Sequence, residues 1–148
     1  KILIDNDSSN DKSSLDEERA RDKIEEEMGV EVPEFLYRPE TFEFYDCFIR
    51  EDAGVVNVQY YYQDSIVSLY ISESSENTQS NSLSLPGRDI GTVYMAKEEI
   101  PVSITGIQEK EKEKPIYLAE WEWKGCYYQL SARMEEKIFE KFIKEIIF

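Results

Sequence analysis

Val55-Val56-Asn57-Val58-Gln59-Tyr60-Tyr61-Tyr62-Gln63-Asp64-Ser65-Ile66-Val67-Ser68-Leu69-Tyr70-Ile71 is the stretch whose reading decides the fold. Val56, Val58, Tyr60 and Tyr62 alternate with other residues, and Val67, Leu69 and Ile71 repeat the alternation beyond Gln63-Asp64. A period of two turns successive side chains to opposite faces, so each run is a strand with one face on a core. Gln63-Asp64 is short enough for an antiparallel hairpin. Tyr117, Ala119, Trp121 and Trp123 show the same period, followed by Lys124-Gly125. Glycine supplies the positive φ that a tight turn requires there.

Working outward, the pattern predicts strands at 42–50, 55–63, 66–72, 91–96, 100–108, 116–123 and 126–131. Glu51-Asp52-Ala53-Gly54 joins the first two. Residues 73–90, rich in Ser, Asn and Glu and containing Pro86-Gly87, read as a long surface loop. Glu109 to Lys114 alternates acid and base, as a solvated hairpin loop does. Pro33 and Pro39 bracket an extended segment with Phe35, Leu36 and Tyr37.

Helical patterns flank the strands. Ser14 and Glu17 have capping-box spacing, Leu15, Ala20, Ile24 and Met28 form a narrow apolar stripe, and Gly29 suits a left-handed helix end. At the other end, Ile138, Phe139, Phe142, Ile143, Ile146 and Ile147 share one wide face, which predicts a helix over 134–147. Residues 1–13 have the composition of an acidic linker or stem. The expected architecture is a single α+β domain over 14–148. It has an antiparallel sheet of about six or seven strands, an N-terminal helix, and a C-terminal amphipathic helix packed on one face.

At 148 residues, with 41% hydrophobic and 13% aromatic content, the chain can build one core without staples. Its net charge of −15 keeps it soluble and repels nucleic-acid phosphates and anionic lipid heads, so no nucleic-acid partner is expected. Histidine is absent, which removes the usual general base and a common metal ligand. Two cysteines cannot furnish a four-cysteine zinc site. No apolar run reaches the ~20 residues that span a bilayer. Membrane contact is therefore expected only through an anchor upstream of Lys1, since a chain opening on Lys rather than Met reads as a piece of a longer one. Cys47 and Cys126 leave two readings open, a disulfide worth about 4 kcal/mol or two buried free thiols.

Four groups of residues are candidates for chemistry. Glu120 and Glu122 share a strand face about 7 Å apart, close to glycosidase carboxylate spacings, with Trp121 and Trp123 beside them. The plain reading is a strand with Trp inward and Glu in water. Asp5, Asp7 and Ser9 fit alternate ligands of a calcium loop, but Asn10 stands where glycine belongs and Asp16 replaces the closing Glu. That leaves a solvated acidic segment, and neither a metal nor a cofactor is expected. A pocket between sheet and helix lined by Phe44, Tyr62 and Phe142 would make the domain an apolar-ligand carrier. Finally, Tyr60, Tyr61 and Tyr62 put rings on both faces of one strand and Tyr127 and Tyr128 do so on another. Tyr60, Tyr61, Tyr62 and Tyr127 are accordingly the residues expected to form a binding surface.

From Val32 onward the chain resembles a bacterial family known as domain of unknown function 4367. The segment Val32-Pro33-Glu34-Phe35-Leu36-Tyr37 leading into a strand meander carries the resemblance. So does the C-terminal pattern of Trp121, Gly125, Tyr128 and Leu130 followed by a helix ending in Ile146-Ile147. Ala132-Arg133 replaces the glycine expected after the return strand. The resemblance implies an extracytoplasmic segment of a Gram-positive, membrane-anchored protein, in some members associated with anti-sigma-factor-like regulators, and it transfers no catalytic residue. The expected function is a non-enzymatic interaction or sensory domain at the cell surface. The alternatives are a small carboxylate-dependent carbohydrate-active enzyme using Glu120 and Glu122, or an apolar-ligand carrier.

Overall fold

A computed structural model describes the backbone of residues 4–73 and 87–148, with side chains from Asp16 onward. In chain order the elements are α1 (Ile4–Met28), β1 (Glu34–Phe35), β2 (Phe42–Arg50), β3 (Val55–Tyr62), β4 (Ser65–Ser72), β5 (Arg88–Tyr94), β6 (Pro101–Ile107), β7 (Ile116–Trp123), β8 (Cys126–Arg133), α2 (Glu136–Lys144) and β9 (Ile146–Ile147). The expected α+β class and antiparallel sheet are therefore present. Seven strands run in the order β2-β3-β4-β8-β7-β6-β5, and β1 and β9 make a separate two-stranded pair. The loop expected at 73–90 lies mostly outside the described residues, and β5 begins at Arg88 rather than 91.

Alternation sets the two faces of the sheet. Val56, Val58, Tyr60 and Tyr62 of β3 oppose Ile71, Leu69, Val67 and Ser65 of β4, and Leu69 and Ile71 oppose Leu130 and Tyr128 of β8. These residues point to the inner face, and all but Ser65 are buried. Helix α2 covers this face with Phe139, Phe142 and Ile143, each at most 1% exposed. Burying apolar area of this kind stabilises by about 25 cal/mol per Å² and dominates the folding free energy.

Ring contacts around Phe142 join helix to sheet. Its centroid lies 4.9 Å from Phe42, 5.0 Å from Tyr37, 5.9 Å from Tyr62 and 6.0 Å from Phe35. The end of α2 is tied down from outside: Ala96 N–H donates to the Lys144 carbonyl and Leu36 N–H to the Glu145 carbonyl. Helix ends carry unpaired carbonyls, and these two bonds satisfy them with other parts of the chain. The helix stops earlier than the periodicity suggests because Ile146 and Ile147 pair with Phe35 and Glu34 as β9.

Helix α1 lies against β2 through Ala20 and Ile24, and Gly29 at φ +67° ends it as expected. Its backbone is helical from Ile4, ten residues before Ser14, so Ser14 is interior and most of the segment read as a linker is helix. No Pro or Gly interrupts 4–28, and extending a helix costs far less than nucleating one. Glu17, expected in the capping box, is instead buried and accepts two bonds from Arg38 at 2.6 and 3.2 Å.

Candidate functional site

The face of the sheet opposite the helices carries the candidate site. Opposed residues of an antiparallel pair share a face, so Glu43 and Tyr61, Tyr61 and Ile66, and Phe48 and Asn57 stand together on the outer side. Strand β2 does not keep its alternation. Phe44 opposes Tyr60, Asp46 opposes Gln59, and Tyr45 is the extra residue of a bulge between them. A bulge turns its residues toward one side and bends the strand. Here it brings the Tyr45 ring to 4.7 Å from Tyr61 at an interplanar angle of 49°.

The hydroxyls of this pair are hydrogen-bonded, and desolvation followed by Tyr45 pushes the Tyr61 hydroxyl above its ordinary value. The Tyr61 phenol therefore stays neutral at physiological pH. Tyr45 is 50% exposed, Ile66 40% and Tyr61 39%, an apolar patch on the outer face that the 48% exposed Phe48 extends about 13 Å along β2. A shallow cleft of about 320 Å³ lined by Ser65, Ile66, Ile116, Ser131 and Arg133 adjoins it. Arg133 is already engaged there by Glu109, by Glu113 at 2.9 Å and by the Lys114 carbonyl at 2.7 Å.

Of the four tyrosines expected to form a surface, the structure leaves Tyr61 in the patch. Tyr60 is 1% exposed, stacks on Phe42 at 4.9 Å and meets Phe35 edge-on at 5.2 Å. Tyr62 is buried against Phe142. The strand period sends positions 60 and 62 inward together, so three consecutive rings cannot share a surface. Tyr127 does face outward, but it opposes Ser72 whereas Tyr61 opposes Ile66, about 20 Å away along β4. Tyr45 and Phe48 escaped the sequence reading. Their signal is the phase slip in β2, where the inward residues run Phe42, Phe44, Cys47, Ile49 instead of keeping a spacing of two.

The other candidates take plain positions. Glu120 and Glu122 stand exposed on the outer face of β7, and neither lines the described clefts. A carboxylate pair in open water has no cleft beside it in which a sugar could be held between the two groups. The space between sheet and α2 is filled by the rings around Phe142, leaving no room for an apolar ligand among them. Among the described residues no cluster of three or more ligating side chains occurs. The backbone over Asp5–Asp11 is helical rather than a loop, and its side chains lie outside the description. Cys47 and Cys126 are free. Both face inward, but β3 and β4 separate their strands by roughly 14 Å, too far for a bridge. Burial pushes both thiols up.

The C-terminal pattern forms a clamp on the inner face. Trp121 stacks on Tyr128 at 5.5 Å, and the Tyr128 hydroxyl donates to the Glu31 carbonyl at 2.6 Å. Trp123 Nε1 donates to the Glu31 carboxylate at 2.7 Å, and its ring stacks on Phe148 at 4.9 Å. Lys124 and Gly125, at φ +49° and +80°, make the tight turn that brings the strands back. The segment before β1 is thus held by the β7–β8 hairpin, while β1 itself pairs with β9. One protein family, described as a domain of unknown function (DUF4367), matches residues 32–146. The chain belongs to this family. The DUF4367 match opens two residues before β1 and closes on the first residue of β9, so the small pair seals the family unit and α1 precedes it. No curated protein and no solved structure matches the chain.

Proposed function

We propose that this DUF4367 domain is a non-enzymatic interaction or sensory domain that docks a protein partner on the outer sheet face at Tyr45, Phe48, Tyr61 and Ile66. In its full-length form it stands outside the cytoplasm, tethered to a membrane, with a role akin to that of anti-sigma-factor-like regulators. One observation carries the binding part: Tyr45, Tyr61 and Ile66, each about two-fifths to one-half exposed, stand together on the outer face, and the similarly exposed Phe48 follows about 13 Å further along the same face. Such clusters mark interaction sites. Strand addition is the less favoured mode, because each edge strand is bulged, β2 at Tyr45 and β5 between Asp89 and Gly91. The cell-surface placement draws on the family resemblance.

The test places a photo-reactive phenylalanine at Phe48 in the full-length protein in its own cells, with a second at the exposed Tyr94 on the far edge. A discrete heteromeric adduct from Phe48, absent from Tyr94, supports the docking face. No adduct, or the same adducts from both positions, overturns it. Protection of the domain from protease added to intact cells overturns the placement.

A further inference from the structure

The aromatic corner has an unusual electrostatic setting. Three rings elsewhere lie under the domain's own cations: Phe42 under Arg38 at 5.2 Å, Trp123 under Lys124 at 5.4 Å and Tyr37 under Lys141 at 4.5 Å. Among the described residues no cation lies over Tyr45, Tyr61 or Phe48. Around these rings stand exposed carboxylates. Glu43 is opposite Tyr61, Asp46 follows Tyr45 in the bulge, and Asp64 sits in the β3–β4 turn. Asp46 accepts the Cys47 N–H at 2.8 Å, and among the described residues none of the three forms an ion pair. Arg50, two positions beyond Phe48 on the same face, lies at the end of β2 away from Tyr45 and Tyr61, beside the cleft with Lys23, Glu27, Glu51 and Asp52. Arg133, beyond Ile66, is held by its own partners.

A ring face attracts a cation through its quadrupole, and adjacent carboxylates add to that attraction. We infer that the partner presents a basic segment, whose Lys or Arg side chains seat on the Tyr45–Tyr61 pair between Glu43, Asp46 and Asp64 while its apolar residues cover Ile66 and Phe48. This rests on the docking face proposed above and names the chemistry of its occupant. The net charge of −15 gives a basic partner a long-range pull, and the uncapped rings give it a place to stop.

Two 12-residue peptides test it, three repeats of Lys-Leu-Lys-Ser and the uncharged counterpart with Gln for Lys. Binding to the whole chain is followed by calorimetry and by backbone amide shifts at low and physiological salt. The basic peptide is expected to shift Glu43, Tyr45, Tyr61 and Asp64 and to bind at least about tenfold more tightly than the uncharged one. Removing both rings in Y45A/Y61A weakens it roughly tenfold, and E43Q/D64N does so more strongly at low salt than at high. The remote pair E18Q/E26Q, on exposed positions of α1, leaves binding within about twofold. Equal binding of both peptides at the patch overturns the basic occupant but leaves the docking face standing. Shifts spread over the surface, with losses as large for E18Q/E26Q, show general attraction to an acidic protein and also overturn it. If neither peptide touches the patch the basic occupant is refuted, and the cross-linking from Phe48 separately decides the face.

Discussion

Phe142→Ala should remove most of what seats α2 on the sheet. The side chain is 1% exposed and packs against Phe35, Tyr37, Phe42 and Tyr62 at centroid distances from 4.9 to 6.0 Å. Truncating a buried Phe costs about 3–5 kcal/mol, from the lost transfer of the ring and the cavity left behind. Aromatic geometry adds about 0.5–1.5 kcal/mol per pair beyond area, but the four contacts share one ring and do not sum. The expected loss is therefore about 4 kcal/mol, the middle of the range, because rings fixed by β1, β2, β3 and the loop after β1 cannot collapse into the gap. Phe142→Leu keeps apolar volume and should lose only about 1.5 kcal/mol. Trp121 and Trp123 report unfolding by fluorescence. With a urea slope of about 2 kcal/mol/M, the Ala variant's midpoint falls by about 2 M at unchanged slope. A loss below about 1 kcal/mol would refute the reasoning, since the ring cluster would then not be what holds helix to sheet.

Two further outcomes follow from titratable groups. The hydrogen bond that the protonated Glu27 carboxyl donates to Glu51, then desolvation, holds Glu27 above its ordinary value, with Lys23 opposing. A raised folded pKa means stability that is present below the unfolded value of 4.5 and lost as pH rises through the folded one. Wild type and Glu27→Gln should thus melt together near pH 4, and wild type should fall behind as pH rises toward about 7; parallel curves would count against the pairing. Reductant should leave the melting temperature within about 1 °C, whereas a bridge worth about 4 kcal/mol would lower it by roughly 8–16 °C when cut.

What the sequence disclosed were the features set by local chemistry. The strand pattern locates the seven strands of the large sheet but not β1 and β9, Gly29 and Lys124-Gly125 mark chain reversals, and the apolar positions of 138–147 identify the helix that covers the sheet. Strand order was not legible, because the β4–β8 pairing joins residues about 60 apart and nothing local specifies it. Tyr127 and Tyr61 both face outward, and only the order of strands shows how far apart they stand. Tyr60 and Tyr62 depart from the expected surface for a different reason. Their inward direction follows from the same alternation that locates the strand, and that alternation decides over residue type. The bulge at Tyr45 was visible only as a broken period.

Because β1 and β9 pair side by side, the polypeptide enters and leaves the family unit at one spot. A domain closed in this way behaves as a plug-in module: hosts can receive it between two neighbouring residues without altering their own spacing. The same proximity makes the molecule a natural subject for circular permutation, with the original ends joined and new ones opened at Gln63-Asp64. It also sets the direction in which a tether loads it. Tension applied across those two strands peels a two-rung zipper first, long before it reaches the seven-stranded sheet.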